Sequence, residues 1–172
     1  MTPEEILSHI RNVKDFPKKG ILFKDITTAL KDAQTYKAII DNLYEQIKDM
    51  DIDYIAVIES RGYLIGAPLA YKKGAGLVII RKPGKLPAEV IHEEYALEYG
   101  MDALEMHKDA IEKGKKVLIV DDLLATGGTI QAADKIIQRA GGKVSGYLFL
   151  IELTELSQEL KFNAPIISLI KC

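Results

Sequence analysis

The run Val117-Leu-Ile-Val-Asp-Asp-Leu-Leu-Ala-Thr-Gly-Gly-Thr129 sets two carboxylates after four apolar residues, then two glycines between two threonines. Each type has a chemical use in that order. Gly127 and Gly128 let a backbone come close to a ligand. The free N–H groups of a helix start, with the Thr126 and Thr129 hydroxyls, can surround a phosphate monoester. Asp121 and Asp122 repel phosphate but accept hydrogen bonds from hydroxyls such as those at the ribose 2- and 3-positions. Phosphate donors beside hydroxyl acceptors describe a ribose 5-phosphate cradle over Asp121, Asp122 and Ala125 to Thr129. Taken singly, each residue also suits a strand end or a helix cap; the order of the whole run is what suits the ligand. The chain has no G-x-x-x-x-G-K-[ST] and no G-x-G-x-x-G after a strand, which argues against a Walker loop and a dinucleotide fold.

Glu59-Ser-Arg-Gly62 follows another apolar run, and such a tight loop can aim N–H groups and one guanidinium at an anion. Arg81-Lys-Pro-Gly-Lys85 collects three cations beside two turn formers, a pattern that also suits a solvated loop. His92, Glu93 and Glu94 resemble a metal cluster by type, but three adjacent side chains rarely converge, so no metal site is expected there.

These residues need elements to hold them. Thr2-Pro-Glu-Glu5 reads as a helix start with a capping box, followed by Ile6, Ile10 and Val13 on one helical face. Asp15 to Gly20 reads as a loop. Tyr36, Ile39, Ile40, Leu43, Tyr44, Ile47 and Met50 follow helical spacing. Then come short apolar runs at Tyr54–Ile58, Leu77–Ile80, Val117–Val120 and Tyr147–Ile151, with a shorter one over Pro165–Ile170. Helical stretches lie at 62–71 and 128–139. Continuous apolar runs alternating with helices predict an α/β fold with a parallel sheet covered on both faces. The polar stretch from Lys82 to Asp109 has no helical period. Leu104 and Met106 alternate with Glu105 and His107, which predicts a half-exposed strand at its end. A long polar excursion of this kind suits a flexible cover over a site.

The chain has 172 residues, enough for one domain with a full core. Its 23 Lys and Arg against 25 Asp and Glu give a net charge of -2, so no global basic field attracts nucleic acid or lipid. An anion must be bound by a local site. The single cysteine, Cys172, excludes an intramolecular disulfide and fits a reducing compartment. No apolar run approaches the roughly 18–20 residues of a membrane span. Glu4 and Glu5 stand where a signal peptide would be basic and then apolar. A cytoplasmic protein is expected.

The 121–129 run resembles the 5-phosphoribosyl 1-diphosphate signature of the type I phosphoribosyltransferases, and within them the branch that acts on adenine. The resemblance extends to Gly20-Ile-Leu-Phe-Lys-Asp-Ile-Thr27, Glu59-Ser-Arg-Gly62, Arg81-Lys-Pro-Gly-Lys-Leu-Pro87, Leu97-Glu-Tyr-Gly100 and Ile151-Glu-Leu-Thr154. It implies one domain over 1–172, with a base-binding hood over about 1–34 and a flexible loop from about Lys82 to Met106. The implied reaction is adenine plus 5-phosphoribosyl 1-diphosphate giving AMP and diphosphate, with magnesium carried on the diphosphate near Asp121 and Asp122. By the same resemblance Ser60, Arg61, Arg81, Lys82 and Lys85 bind diphosphate, Arg61 also acting on the leaving group. Leu22, Phe23, Lys24 and Leu153 hold adenine, and Glu98 protonates N7 of the base. Lys24 stands where many members carry arginine, and a lysine lacks that planar fork. A homodimer is implied.

Two other readings share features with this one. A transferase for hypoxanthine, guanine or xanthine would use the same cradle. A non-catalytic regulator sensing phosphoribosyl diphosphate would bind nucleic acid, and the net charge and absence of a helix-turn-helix pattern argue against it.

Overall fold

Thr2 opens the chain's first helix as expected: its hydroxyl accepts the Glu5 N–H, and Glu5 accepts the Thr2 N–H in return. In this computed structural model, which describes residues 1–97 and 100–172, helix α1 covers only Pro3–Ser8. Val13 therefore leaves the helical face predicted for it and enters a strand. That strand, β1 (Arg11–Lys14), pairs antiparallel with β2 (Leu22–Asp25). An Arg11–Asp25 ion pair and the Arg11 N–H donated to Thr28 Oγ1 fix the pairing. Tertiary partners thus end the helix earlier than periodicity suggests. Helix α2 (Thr27–Leu30) and helix α3 (Ala33–Ile47) follow, α3 capped by Asp32.

Strand β3 (Tyr54–Ile58), helix α4 (Arg61–Lys73) and strand β4 (Gly76–Ile80) form the first parallel unit. The excursion after it is a hairpin of β5 (Val90–Leu97) and β6 (Gly100–His107). Its second strand is not half-exposed at the end, as alternation predicts. Ala103, Leu104, Glu105 and Met106 are all buried, because Leu104 and Met106 enter the main core while Glu105 is held by the Gly84 N–H and His92 and pairs through its backbone with Arg81. Strand β7 (Lys116–Leu124), helix α5 (Gly128–Arg139), strand β8 (Lys143–Glu152), helix α6 (Thr154–Ser157) and strand β9 (Ile166–Lys171) complete the chain.

The main sheet is parallel, in the order β4-β3-β7-β8-β9. Alternate residues of its strands feed two cores. Ile55, Val57, Leu118, Val120, Leu148 and Leu150 pack against α1 to α4. Ala56, Ile58, Val117, Ile119, Tyr147 and Phe149 pack against α5 and the hairpin. The predicted doubly covered α/β sheet is therefore present. The chain steps outward from β3 to β4 and returns on the other side of β3 as β7. That reversal opens a crevice at the carboxyl ends of β3 and β7, where ligands of open α/β sheets bind. No helix among the described residues is long and apolar enough to cross a membrane.

Candidate active site

Strand β7 does not stop at Val120, as the apolar run predicts. It stays paired with β8 through Leu124, whereas its pairing with β3 ends at Val57 opposite Val120. Asp121 and Asp122 thus belong to a strand whose β3 side is open. Asp122 is buried, and its Oδ2 lies 2.9 Å from Arg61 Nε at the start of α4. Asp121 Oδ1 accepts the Asp122 N–H at 2.8 Å. A Cβ at Gly62 would come within 2.9 Å of Asp121 Oδ1, so only glycine lets α4 sit this close to β7. Burial, and then the neighbouring charge of Asp122, push the Asp121 carboxyl well above the usual carboxylate range. Burial also raises Asp122, with Arg61 opposing it.

Past Leu124 the chain turns through Ala125 and Thr126 into Gly127, the N-cap of α5, at φ +79°. The left-handed turn brings the start of α5 to a cavity of about 210 Å³. Arg61, Asp121, Asp122 and the whole of 125–129 line it. The predicted cradle residues therefore converge, with carboxylates at one end and helix amides at the other.

The residues predicted for the base divide between two faces of β2. Leu22 and Lys24 line a cavity of about 500 Å³ with Leu153. Phe23 points to the opposite face, because neighbouring strand residues alternate. It lines a separate apolar cavity of about 370 Å³ with Phe16 and Arg61. Its ring meets Phe16 edge-on, with centroids 5.1 Å apart, and the Arg61 guanidinium carbon stands 5.0 Å from its centroid. Leu153 is tied to the cradle strand by its N–H, donated to Leu124 O at 2.9 Å. Ile21, Leu156 and Cys172 also line the base cavity. The last lies far from any motif and gave no sequence signal.

The expected diphosphate residues lie on two segments. Ser60 is the N-cap of α4, directly before Arg61, and the Glu59–Ser60 peptide is cis. The basic loop is gathered on Glu59, a residue motif reasoning left without a role. Glu59 accepts the Lys82 N–H, and its oxygens stand 3.5 Å from Arg81 Nε and 3.9 Å from Lys85 Nζ. Glu105 holds the loop from the other side through paired backbone bonds with Arg81 and a 3.0 Å bond from the Gly84 N–H. The Lys82 side chain departs from the expected set. Its ammonium is paired with Asp102 and bonded to Tyr95, which outweighs burial and raises its pKa.

His92 and Glu94 share one face of β5, while Glu93 faces Lys135 and Arg139 on the other. Strand alternation thus separates the three, and no metal cluster forms among the described residues. The Asp121 and Asp122 carboxylates do not present a ready-made magnesium site either, since Asp121 Oδ1 takes the Asp122 N–H and Asp122 Oδ2 faces the Arg61 cation. Glu98 lies outside the described residues.

A parallel sheet whose switch point carries an acidic pair and a glycine-opened helix defines a protein built to hold a ribose phosphate. Residues 26–165 match the phosphoribosyl transferase domain. The chain is 56% identical over 172 residues to adenine phosphoribosyltransferase of Thermoanaerobacter sp. (strain X514), covering 99% of each chain. The crystal structure of adenine phosphoribosyltransferase from Thermoanaerobacter pseudethanolicus superposes with a TM-score of 0.97 at 54% identity, over 99% of this chain and 100% of that one. The Saccharomyces cerevisiae enzyme, solved with an imino-altritol bisphosphate and adenine, gives 0.91 at 38% identity over 97% of each chain. The chain belongs to the adenine phosphoribosyltransferase family.

Proposed function

We propose that this site transfers the 5-phosphoribosyl group from 5-phosphoribosyl 1-diphosphate to adenine, giving AMP and diphosphate, a purine-salvage reaction. The observation that carries the reading is the cradle at the β3–β7 crevice, tied through Leu124 and Leu153 to a cavity large enough for a base. The 5-phosphate sits on the amides and hydroxyls of 125–129. Asp121 and Asp122 accept the ribose hydroxyls. Ser60, Arg61, Arg81 and Lys85 take the diphosphate. Leu22, Lys24 and Leu153 border the base, and Phe23 backs Arg61 from the far side of β2.

The C1–oxygen bond breaks with its electron pair leaving on diphosphate, and N9 of adenine bonds to C1. Adenine reacts at N9 as the tautomer that carries hydrogen on N7 and gives up that proton; Glu98, which the resemblance credits with protonating N7, would donate it in the reverse direction and accept it in this one. Positioning and charge stabilisation supply most of the rate. Magnesium bound to the diphosphate, as the resemblance implies, would offset its charge.

We read residues 1–172 as one catalytic domain with about 1–34 as the hood. We also read the chain as a homodimer: edge strand β4 leaves Leu77 and Ile79 exposed, a surface that a second copy would cover. A substrate with several phosphate charges does not cross a bilayer unaided, which favours the cytoplasm.

A diphosphate-release assay with adenine, hypoxanthine, guanine and xanthine tests the reading. Turnover with adenine alone is expected. Turnover with another purine instead would move the specificity within the fold, and none with any base would favour a sensor.

A further inference from the structure

Lys82 follows the second strand of the sheet in a loop whose other cations gather on Glu59, yet its ammonium turns toward the hairpin. It pairs with Asp102 and donates to the Tyr95 hydroxyl at 3.0 Å. That hydroxyl donates to Asp102 Oδ2 at 3.1 Å and stands 3.5 Å from Thr129 Oγ1, a hydroxyl of the cradle. The Tyr95 ring covers Gly128, where an added Cβ would lie 3.5 Å from ring atom Cδ2. The loop and both hairpin strands thus deliver one ammonium and one phenol to the α5 end of the cradle.

The run from Ala125 to Thr129 contains no cation. Helix amides offer roughly half a positive charge to a phosphate that carries up to two negative ones. Two hydroxyls 3.5 Å apart can both reach one oxygen at ordinary hydrogen-bond length. The phenol has a single proton, which goes to Asp102 in this structure. A phosphate oxygen beside Thr129 is the competing acceptor.

We propose that Tyr95 and Lys82 are ligands of the phosphate monoester in the cradle, with Asp102 holding them in place when no phosphate is bound. Lys82 then serves the 5-phosphate end of the site and not the diphosphate end. The proposal rests on reading the cradle as a ribose 5-phosphate site.

Calorimetric titrations of AMP, adenosine and inorganic diphosphate into wild type, Tyr95→Phe and Lys82→Met test it. Phenylalanine keeps the ring over Gly128 and methionine keeps the stem, and melting curves verify both folds. Each variant should lose roughly tenfold or more in AMP affinity, the scale of a hydrogen bond to a charged group. Adenosine, which lacks the phosphate, should bind all three proteins alike, and diphosphate should bind Lys82→Met within about twofold of wild type. Unchanged AMP affinity in both variants overturns the proposal. So does a Lys82→Met protein that loses diphosphate and keeps AMP. Wild type that fails to bind AMP overturns the cradle reading itself.

Discussion

Arg61 lies between Asp122 and Phe23, its Nε 2.9 Å from the Asp122 carboxylate and its guanidinium carbon 5.0 Å from the Phe23 ring centroid. One side chain therefore joins the end of the central sheet to the hood strand. A planar, delocalised cation can make a fork contact and a ring contact at once, and a lysine cannot. Arg61→Lys should lower kcat/KM for 5-phosphoribosyl 1-diphosphate by roughly 10–100-fold with the fold intact. Steady-state kinetics with melting curves check this, and a change under twofold would remove Arg61 from the machinery.

Asp121 makes a prediction about pH. Its carboxyl is raised well above the ordinary range by burial and by Asp122. Below about pH 4 both folded and unfolded chains are protonated there and the group costs nothing. Above that the unfolded chain ionises first, so folding loses stability as pH climbs toward the raised value. Asp121→Asn removes the cost. Its melting temperature should exceed wild type near neutral pH and converge with it near pH 4, while affinity for ribose 5-phosphate falls. An offset of equal size at both pH values would count against buried charge as the cause.

The two cradle glycines should respond differently. Gly127 is left-handed, and a Cβ there would strike Leu160 at 2.7 Å. Gly127→Val should destabilise the fold and abolish AMP binding together. Gly128 has no such conformation, and its added Cβ would meet only ordinary contacts. Gly128→Ala should keep wild-type melting yet weaken AMP by crowding the phosphate. Calorimetry separates the two, and tight AMP binding by Gly127→Val would rule out the cradle.

Glu98→Gln keeps the shape of the residue but cannot exchange a proton. Single-turnover rates should fall by about 10²–10⁴-fold in both directions, while binding of 5-phosphoribosyl 1-diphosphate changes little. Rates within about twofold of wild type would leave positioning as the source of catalysis.

The inner strands of the sheet were legible because they are buried on both faces and read as unbroken apolar runs, as at Val117–Val120. The cradle was legible because its residues are contiguous. The β1–β2 pair was not, since its four-residue strands have no fully buried residue and are held by Arg11–Asp25 across the loop. In β5 Glu93 occupies an inward position between Ile91 and Tyr95, where it meets Lys135 and Arg139, so alternation with apolar residues never develops. The resemblance groups Phe23 with Leu22 and Lys24, whereas a strand sends neighbours to opposite faces. Glu59 heads a run legible in the sequence, but its hold on the basic loop, like the placing of Tyr95 and Cys172, comes from contacts between distant segments that no local pattern marks.

Strands β3 and β7 meet at the middle of the sheet, and their pairing alone brings Arg61 to Asp122. Neither half of the crevice exists as local structure, and the long intervening segment must close before any ligand can bind. Occupancy therefore reports on global folding. Amide protons of both strands should exchange through whole-molecule opening, and AMP should slow them by a common factor. During synthesis the chain gains nothing from its substrate until the residues through Thr129 have left the ribosome, so up to that point its survival rests on contacts within the chain alone.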